Sequence, residues 1–127
     1  MDKGKQTYFP SVDNVKKAAE AIKNVSVVTP LSANIRFSNT YQSNIFFKRE
    51  DLQQVRSYKI RGAYNKISSL TATESKNGVV CASAGNHAQG VALSCKLLKI
   101  QGTIYMPMPT PKQKVEQVKH DLLVCHR

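Results

Sequence analysis

No apolar run in this 127-residue sequence approaches the length of a membrane span. The opening stretch, MDKGKQTYFPSVDNVKKAAE, also lacks the hydrophobic core of a secretory signal. Both absences lead to the expectation of a cytoplasmic protein with no membrane partner. Cysteine is scarce. Cys81, Cys95 and Cys125 are odd in number and without CxxC spacing, which argues against a disulfide framework and against a zinc knuckle. Cys81 and Cys95 sit among apolar neighbours and read as small buried hydrophobes. His87, His120 and His126 form no ligand cluster with them, so no metal site is expected. Acid is in short supply too: 8 Asp and Glu stand against 19 Lys and Arg, for a net charge of +11. The cations are scattered from Lys3 to Arg127 in runs of no more than two, whereas a nucleic-acid module gathers them on one helix or stripe. A solvated basic surface is the preferred reading, and no nucleic-acid partner is expected.

What remains is a soluble, globular composition, 41% apolar and 21% charged, long enough for one domain and too short for two. Val12, Val15, Ala19 and Ile22 recur at helical spacing within residues 12–25. Pro30 then breaks VVTPLSAN into an extended crossing segment. NIFFKRE, residues 44–50, reads as a short buried strand. In SYKIRGAYNKISSL the stripe Ile60, Ala63, Tyr64, Ile67 and Leu70 predicts a helix, with Ser57 as its N-cap. GVVCASA (78–84) predicts a strand running into an amphipathic helix marked by Ala88, Val91, Ala92, Cys95 and Leu98. GTIYMP (102–107) predicts another strand, and a further helix starts after Pro111. Alternation of strand and helix is the mark of an α/β fold, an open parallel sheet with flanking helices. The closing DLLVCHR reads as the beginning of one more strand.

Two places carry residues suited to chemistry. Lys59 lies about 40° around its helix from Ala63, at the border of the apolar stripe. Partial burial, the positive end of the helix dipole and the nearby Arg61 would all disfavour its ammonium form. A neutral amine condenses with aldehydes; a solvated cation does nothing, and the lysine alone leaves both readings open. CASAGNHAQG is richer. Ser83, Ala84 and Gly85 at a strand's carboxyl end allow a sharp turn and leave amides unpaired at the next helix start. Such amides cradle anions, at the edge of an open α/β sheet where ligands bind. Asn86 and His87 add polar groups at that rim, although an ordinary strand-to-helix turn would look the same. Gly90, inside the helix, costs about 1 kcal/mol relative to alanine. Close approach of a backbone or ligand would account for it, as would simple tolerance.

KREDLQQVRSYKIRGAYNKI followed by ASAGNHAQGVA resembles the pyridoxal-phosphate enzymes of the threonine dehydratase family, also called threonine ammonia-lyases or threonine deaminases. TPL (29–31) and MPMPTPKQK (106–114) fit the same pattern, which extends from about Val12 to Lys119. The resemblance implies part of a two-domain, tryptophan synthase beta-like fold. Residues 12–43 would be an amino-terminal helix and crossing segment, 44–120 a smaller α/β subdomain, and 121–127 a divergent tail. It implies pyridoxal 5'-phosphate held by Lys59, which would then remove the α-proton of an amino-acid substrate. Loss of the β-hydroxyl of L-threonine would lead to 2-oxobutanoate and ammonia, a reaction of isoleucine biosynthesis. Asn86 would bond the cofactor's 3-hydroxyl, Tyr58 would pack near its ring, and Ser83, Ala84, Gly85, Asn86 and His87 would bind the substrate carboxylate. Related serine racemases carry a second serine where Ala84 stands, so elimination is expected over racemisation, with serine dehydration beside threonine dehydration. Full-length relatives are expected to be homo-oligomers.

The sequence departs from that family in two respects. Gly4, Gly62, Gly78, Gly85, Gly90 and Gly102 include no adjacent pair, so the glycine run expected to cradle the cofactor phosphate is absent from these residues. After Lys119 the family pattern stops, which leads to the expectation of a truncated or frameshifted product, inactive alone. A catalytically inert basic remnant that binds phosphate is the alternative reading.

Overall fold

The computed structural model describes residues 9–121 and the backbone of 124–126. Helix α1 (Val12–Ile22) begins where the Ser11 side chain accepts from the Asn14 amide at 3.2 Å. Its apolar stripe is largely open: Val12 is 70% and Val15 59% exposed. Strand β1 (Leu31–Ala33), helix α2 (Ile35–Tyr41) and strand β2 (Phe46–Lys48) follow. β2 is a strand, as its sequence predicts, but it is exposed instead of buried and pairs antiparallel with β1. It therefore stands outside the parallel sheet that the strand–helix alternation predicts. Apolar content selects an extended chain without saying what covers it, and Leu31, Ile35 and Phe46 are all more than half exposed.

The parallel sheet is built from β3 (Val79–Ala82), β4 (Gly102–Tyr105) and β5 (Val124–His126), in the order β3-β4-β5. β5 realises the strand expected in the closing residues, its Val124 opposite Thr103 of β4. Leu122, Leu123 and Arg127 of that segment lie outside the described residues. Gly78 enters β3 with φ +79°, and a Cβ there would fall 2.6 Å from the Gln101 carbonyl oxygen, so only glycine fits this turn.

Helices α3 (Lys59–Ser68), the short α4 (Ala72–Ser75), α5 (Asn86–Leu98) and α6 (Lys112–Asp121) complete the chain. α5 is the hub: it packs against α3 and α6 and touches β3 and β4. Every residue from Ala88 to Cys95 is buried, which exceeds the one-sided stripe read from the sequence. A helix enclosed on several sides has no solvent face to keep polar, and its small residues let neighbours come close. Its buried polar groups are satisfied. Ser94 donates to the Gly90 carbonyl at 2.6 Å, and Gln89 donates to Gln117 of α6 at 2.7 Å.

Candidate active site

Lys59 is the first residue of α3, and its helix is not capped as the sequence predicts. Tyr58, not Ser57, holds the N-cap position and offers no side-chain bond. Ser57 is drawn inside instead, 6% exposed, and its hydroxyl has no partner among the described residues. The turn before α3 explains this inversion: Val55 and Ile60 on either side are both core residues, which pulls the intervening chain inward. Tyr58 faces outward, and the Lys59 ammonium stands 5.0 Å from its ring centroid, within cation–π range.

Half-buried Lys59 lines a cleft of about 570 Å³ between α3 and the open edge of β3. Tyr58, Gly62, Ala82 and His87 line it too. Two lysines and a histidine border this space, and among the described residues no carboxylate does. Cys81 is also on the wall, but burial raises its thiol pKa; burial first, with the neighbouring Cys81, pushes Cys95 up to about 11. Thiolates are therefore suppressed, and the nucleophile candidate of the cleft is the amine of Lys59.

The SAGNH bend joins β3 to α5. The Ser83 amide donates to the Tyr105 carbonyl at 3.0 Å, extending the ladder one residue, and the Gly85 amide donates to the Ser83 hydroxyl at 3.3 Å. No side chain caps α5, so the amides of Asn86, His87 and Ala88 have no acceptor among the described residues. Ser83, Ala84 and Gly85 are half-buried, while Asn86 and His87 are exposed at the rim. The Lys114 ammonium of α6 hangs over the bend, 3.8 Å from where a Cβ on Gly85 would be. Of the bend residues only His87 reaches the cleft wall; Ser83, Ala84, Gly85 and Asn86 do not line it. Among the described residues no three His, Cys, Asp or Glu side chains gather as metal ligands.

A polar network joining Arg61 of α3 to the crossing segment escaped the sequence reading. Glu50 receives Arg61 in bidentate fashion, Nε and one terminal nitrogen each at 2.8 Å, and Thr29 donates to it at 2.6 Å. Gln53, 1% exposed, accepts from the Val27 amide at 2.9 Å and donates to the Val27 carbonyl at 2.8 Å. These bonds stitch the crossing segment to the start of α3. The Arg61 pairing, with help from Thr29, holds the Glu50 carboxyl at about 2, far below its ordinary 4.5. Arg61, expected to add positive charge beside Lys59, has that charge matched by Glu50 instead. The signal available in the sequence was an acid eleven residues before a helix-face arginine, too far apart for a local rule.

An uncapped helix start suits an anion, and an amine in a cleft whose described lining holds cations and no carboxylate suits an aldehyde that carries negative charge. The cleft's own donors, Lys59, Lys66 and His87, are of the same sign and kind that such a group requires. The residues present thus fit the aldehyde end of pyridoxal phosphate.

Comparison with known proteins agrees with this geometry. The family described as pyridoxal-phosphate dependent enzyme matches residues 22–120. The L-threonine dehydratase biosynthetic IlvA of Bacillus subtilis (strain 168) is 55% identical over 91% of this chain and 27% of its own length. The chain spans about a quarter of the length of the curated relatives it matches. Among solved structures, maize serine racemase superposes with a TM-score of 0.84 at 36% identity, over 90% of this chain and 35% of that one. The processed form of threonine deaminase isoform 2 from Solanum lycopersicum gives 0.74 at 37%, over 92% and 34%. Fold likeness alone does not separate lyase from racemase. The chain belongs to the pyridoxal-phosphate dependent enzyme family, as a part of its tryptophan synthase beta-like fold.

Proposed function

We propose that this chain is the Lys59-bearing amino-terminal portion of a threonine ammonia-lyase, which eliminates water from L-threonine to an enamine that water then hydrolyses to 2-oxobutanoate and ammonia. The observation that carries this reading is that Lys59 and His87 share one cleft, at the uncapped start of α5. Close relatives bearing the name L-threonine dehydratase support the choice of reaction.

Pyridoxal phosphate, when bound, supplies an electron sink for the carbanion formed at the substrate's α-carbon. Every other role falls to side chains and amides. Lys59 would hold the cofactor through its amine and, when free, would take the α-proton of the substrate. The amides of the bend, Ser83 to His87, hold the substrate carboxylate, which also orients the α-hydrogen towards Lys59. Asn86 would steady the cofactor's 3-hydroxyl, and Tyr58 would pack near its ring. Ala84 has no hydroxyl to return a proton from the opposite face, which favours elimination over racemisation. L-Serine dehydration by the same residues is the neighbouring reading.

The substrate is accordingly a small amino acid, in the cytoplasm, with neither nucleic acid nor membrane as partner. Among the described residues no helix is long and apolar enough to cross a membrane. Full-length relatives are proposed as homo-oligomers, residues 44–120 as the smaller α/β subdomain behind the helix and crossing segment of 12–43, and 121–127 as a divergent tail. The chain has no adjacent glycines to cup the phosphate, so the 127 residues alone are expected to bind cofactor weakly and not to turn over threonine. The test adds pyridoxal phosphate to the purified chain and follows the visible band and keto-acid release. A band that disappears in Lys59→Ala, without keto acid, is the expected result. A band of equal strength in Lys59→Ala would overturn the assignment.

A further inference from the structure

Gly90 occupies the interior of α5, where alanine would serve the helix better. Its surroundings supply the reason. A Cβ at Gly90 would stand 3.1 Å from both the carbonyl carbon and the oxygen of Lys59, and 3.3 Å from the Ile60 nitrogen. All three are backbone atoms, so no rotamer change makes room. Gly62, on the cleft wall, differs: a Cβ there meets nothing within 4 Å. Around Gly90 the joint is tight. Ser94 bonds the Gly90 carbonyl at 2.6 Å, and Leu93 and Ile60, 2% and 1% exposed, pack in one cluster.

We propose that Gly90 is a positioning residue for Lys59. Its missing side chain sets how closely the first turn of α3 seats on α5, and therefore where the amine stands against the SAGNH bend. Gly90 follows Asn86 by four residues, about one helical turn, so a single helix carries both the amide turn and the seat of the amine. The proposal rests on the reading of Lys59 as the cofactor amine. Condensation requires the neutral nitrogen to attack the aldehyde carbon; a carbon–nitrogen double bond replaces the carbonyl and its oxygen leaves as water. An added methyl at Gly90 forces the Lys59 backbone to give by a few tenths of an ångström, its three nearest neighbours all being backbone atoms. Displacements of that size matter where reacting atoms must be held within about 0.5 Å.

The test compares Gly90→Ala with Val118→Ala, a fully buried position on α6 in the cluster that excludes Ile60 and Leu93. Pyridoxal phosphate is titrated into each purified chain at a temperature where the melting curve shows it folded, and the visible band is read. Gly90→Ala is expected to weaken the Lys59-linked band by about ten-fold or more. Val118→Ala, despite a lower melting temperature, is expected to stay within about two-fold of wild type, since Val118 neither lines the cleft nor belongs to the cluster of Ile60 and Leu93. Losses that simply track melting temperature in both variants would overturn the proposal. If Gly90→Ala does not fold, Leu93→Ala loosens the same joint without overlap, and a loss no larger than that of Val118→Ala would overturn it equally. A wild-type chain with no band dependent on Lys59 sinks the cofactor reading itself, an outcome distinct from a normal wild type with an unaffected Gly90→Ala.

Discussion

Glu50→Gln is the substitution whose consequences the structure defines most fully. In the folded chain the carboxyl sits at about 2, against an ordinary value of 4.5, with Arg61 as the main cause. A carboxylate lowered by folding adds stability above its unfolded value and loses it as pH falls towards the folded one. At roughly 1.4 kcal/mol per pH unit the full effect is about 3 kcal/mol. Glu50 is 16% exposed at its side chain but Arg61 is 33%, so water screens the pair and about 2 kcal/mol is the working figure. Glutamine keeps the shape and removes the charge, as protonation would. Urea unfolding followed by circular dichroism should therefore show Glu50→Gln about 2 kcal/mol less stable at pH 7. The gap should begin to close below about pH 4.5 and be nearly gone at about pH 2. Taking the difference between the two proteins removes the contributions of Asp51 and Glu74, whose carboxyls are also lowered. Equal stability at neutral pH, or a gap that persists unchanged in acid, would refute the reasoning.

Other outcomes follow from single residues. Gly78→Ala, at φ +79° and with its Cβ forced against the Gln101 carbonyl, should lower stability by about 1–3 kcal/mol in the same unfolding assay. Cys95, 1% exposed and pushed up to about 11, should react with a thiol reagent at pH 8 only at the rate of unfolding, and at once in denaturant.

The elements that were legible in the sequence are those whose partners are local. α3 and α6 announce themselves by apolar spacing and Pro111, β3 and β4 by short apolar runs next to glycine, and β5 by the apolar tail. The SAGNH bend is legible for the same reason, since a strand end, small residues and a helix start are contiguous. What escaped depends on distant chain. Ser57 looks like a cap until Val55 and Ile60 are both seated in the core and draw it inward. The exposure of β2 could not be read, because Phe46 and Phe47 favour a strand whatever covers them. Glu50, Thr29 and Gln53 meet Arg61 and Val27 only after the crossing segment folds back. Gly90 was visible as a cost without a cause; the cause is the backbone of Lys59, brought in from another helix.

The most direct test of the account maps which lysine captures the cofactor. The folded chain is mixed with a small molar excess of pyridoxal phosphate, reduced with borohydride, digested and read by peptide mass spectrometry. The half-buried Lys59 should carry the label well ahead of exposed lysines such as Lys76 and Lys112, and lose that lead in denaturant. A label spread evenly over the surface lysines, with Lys59 unmarked, would contradict the central claim.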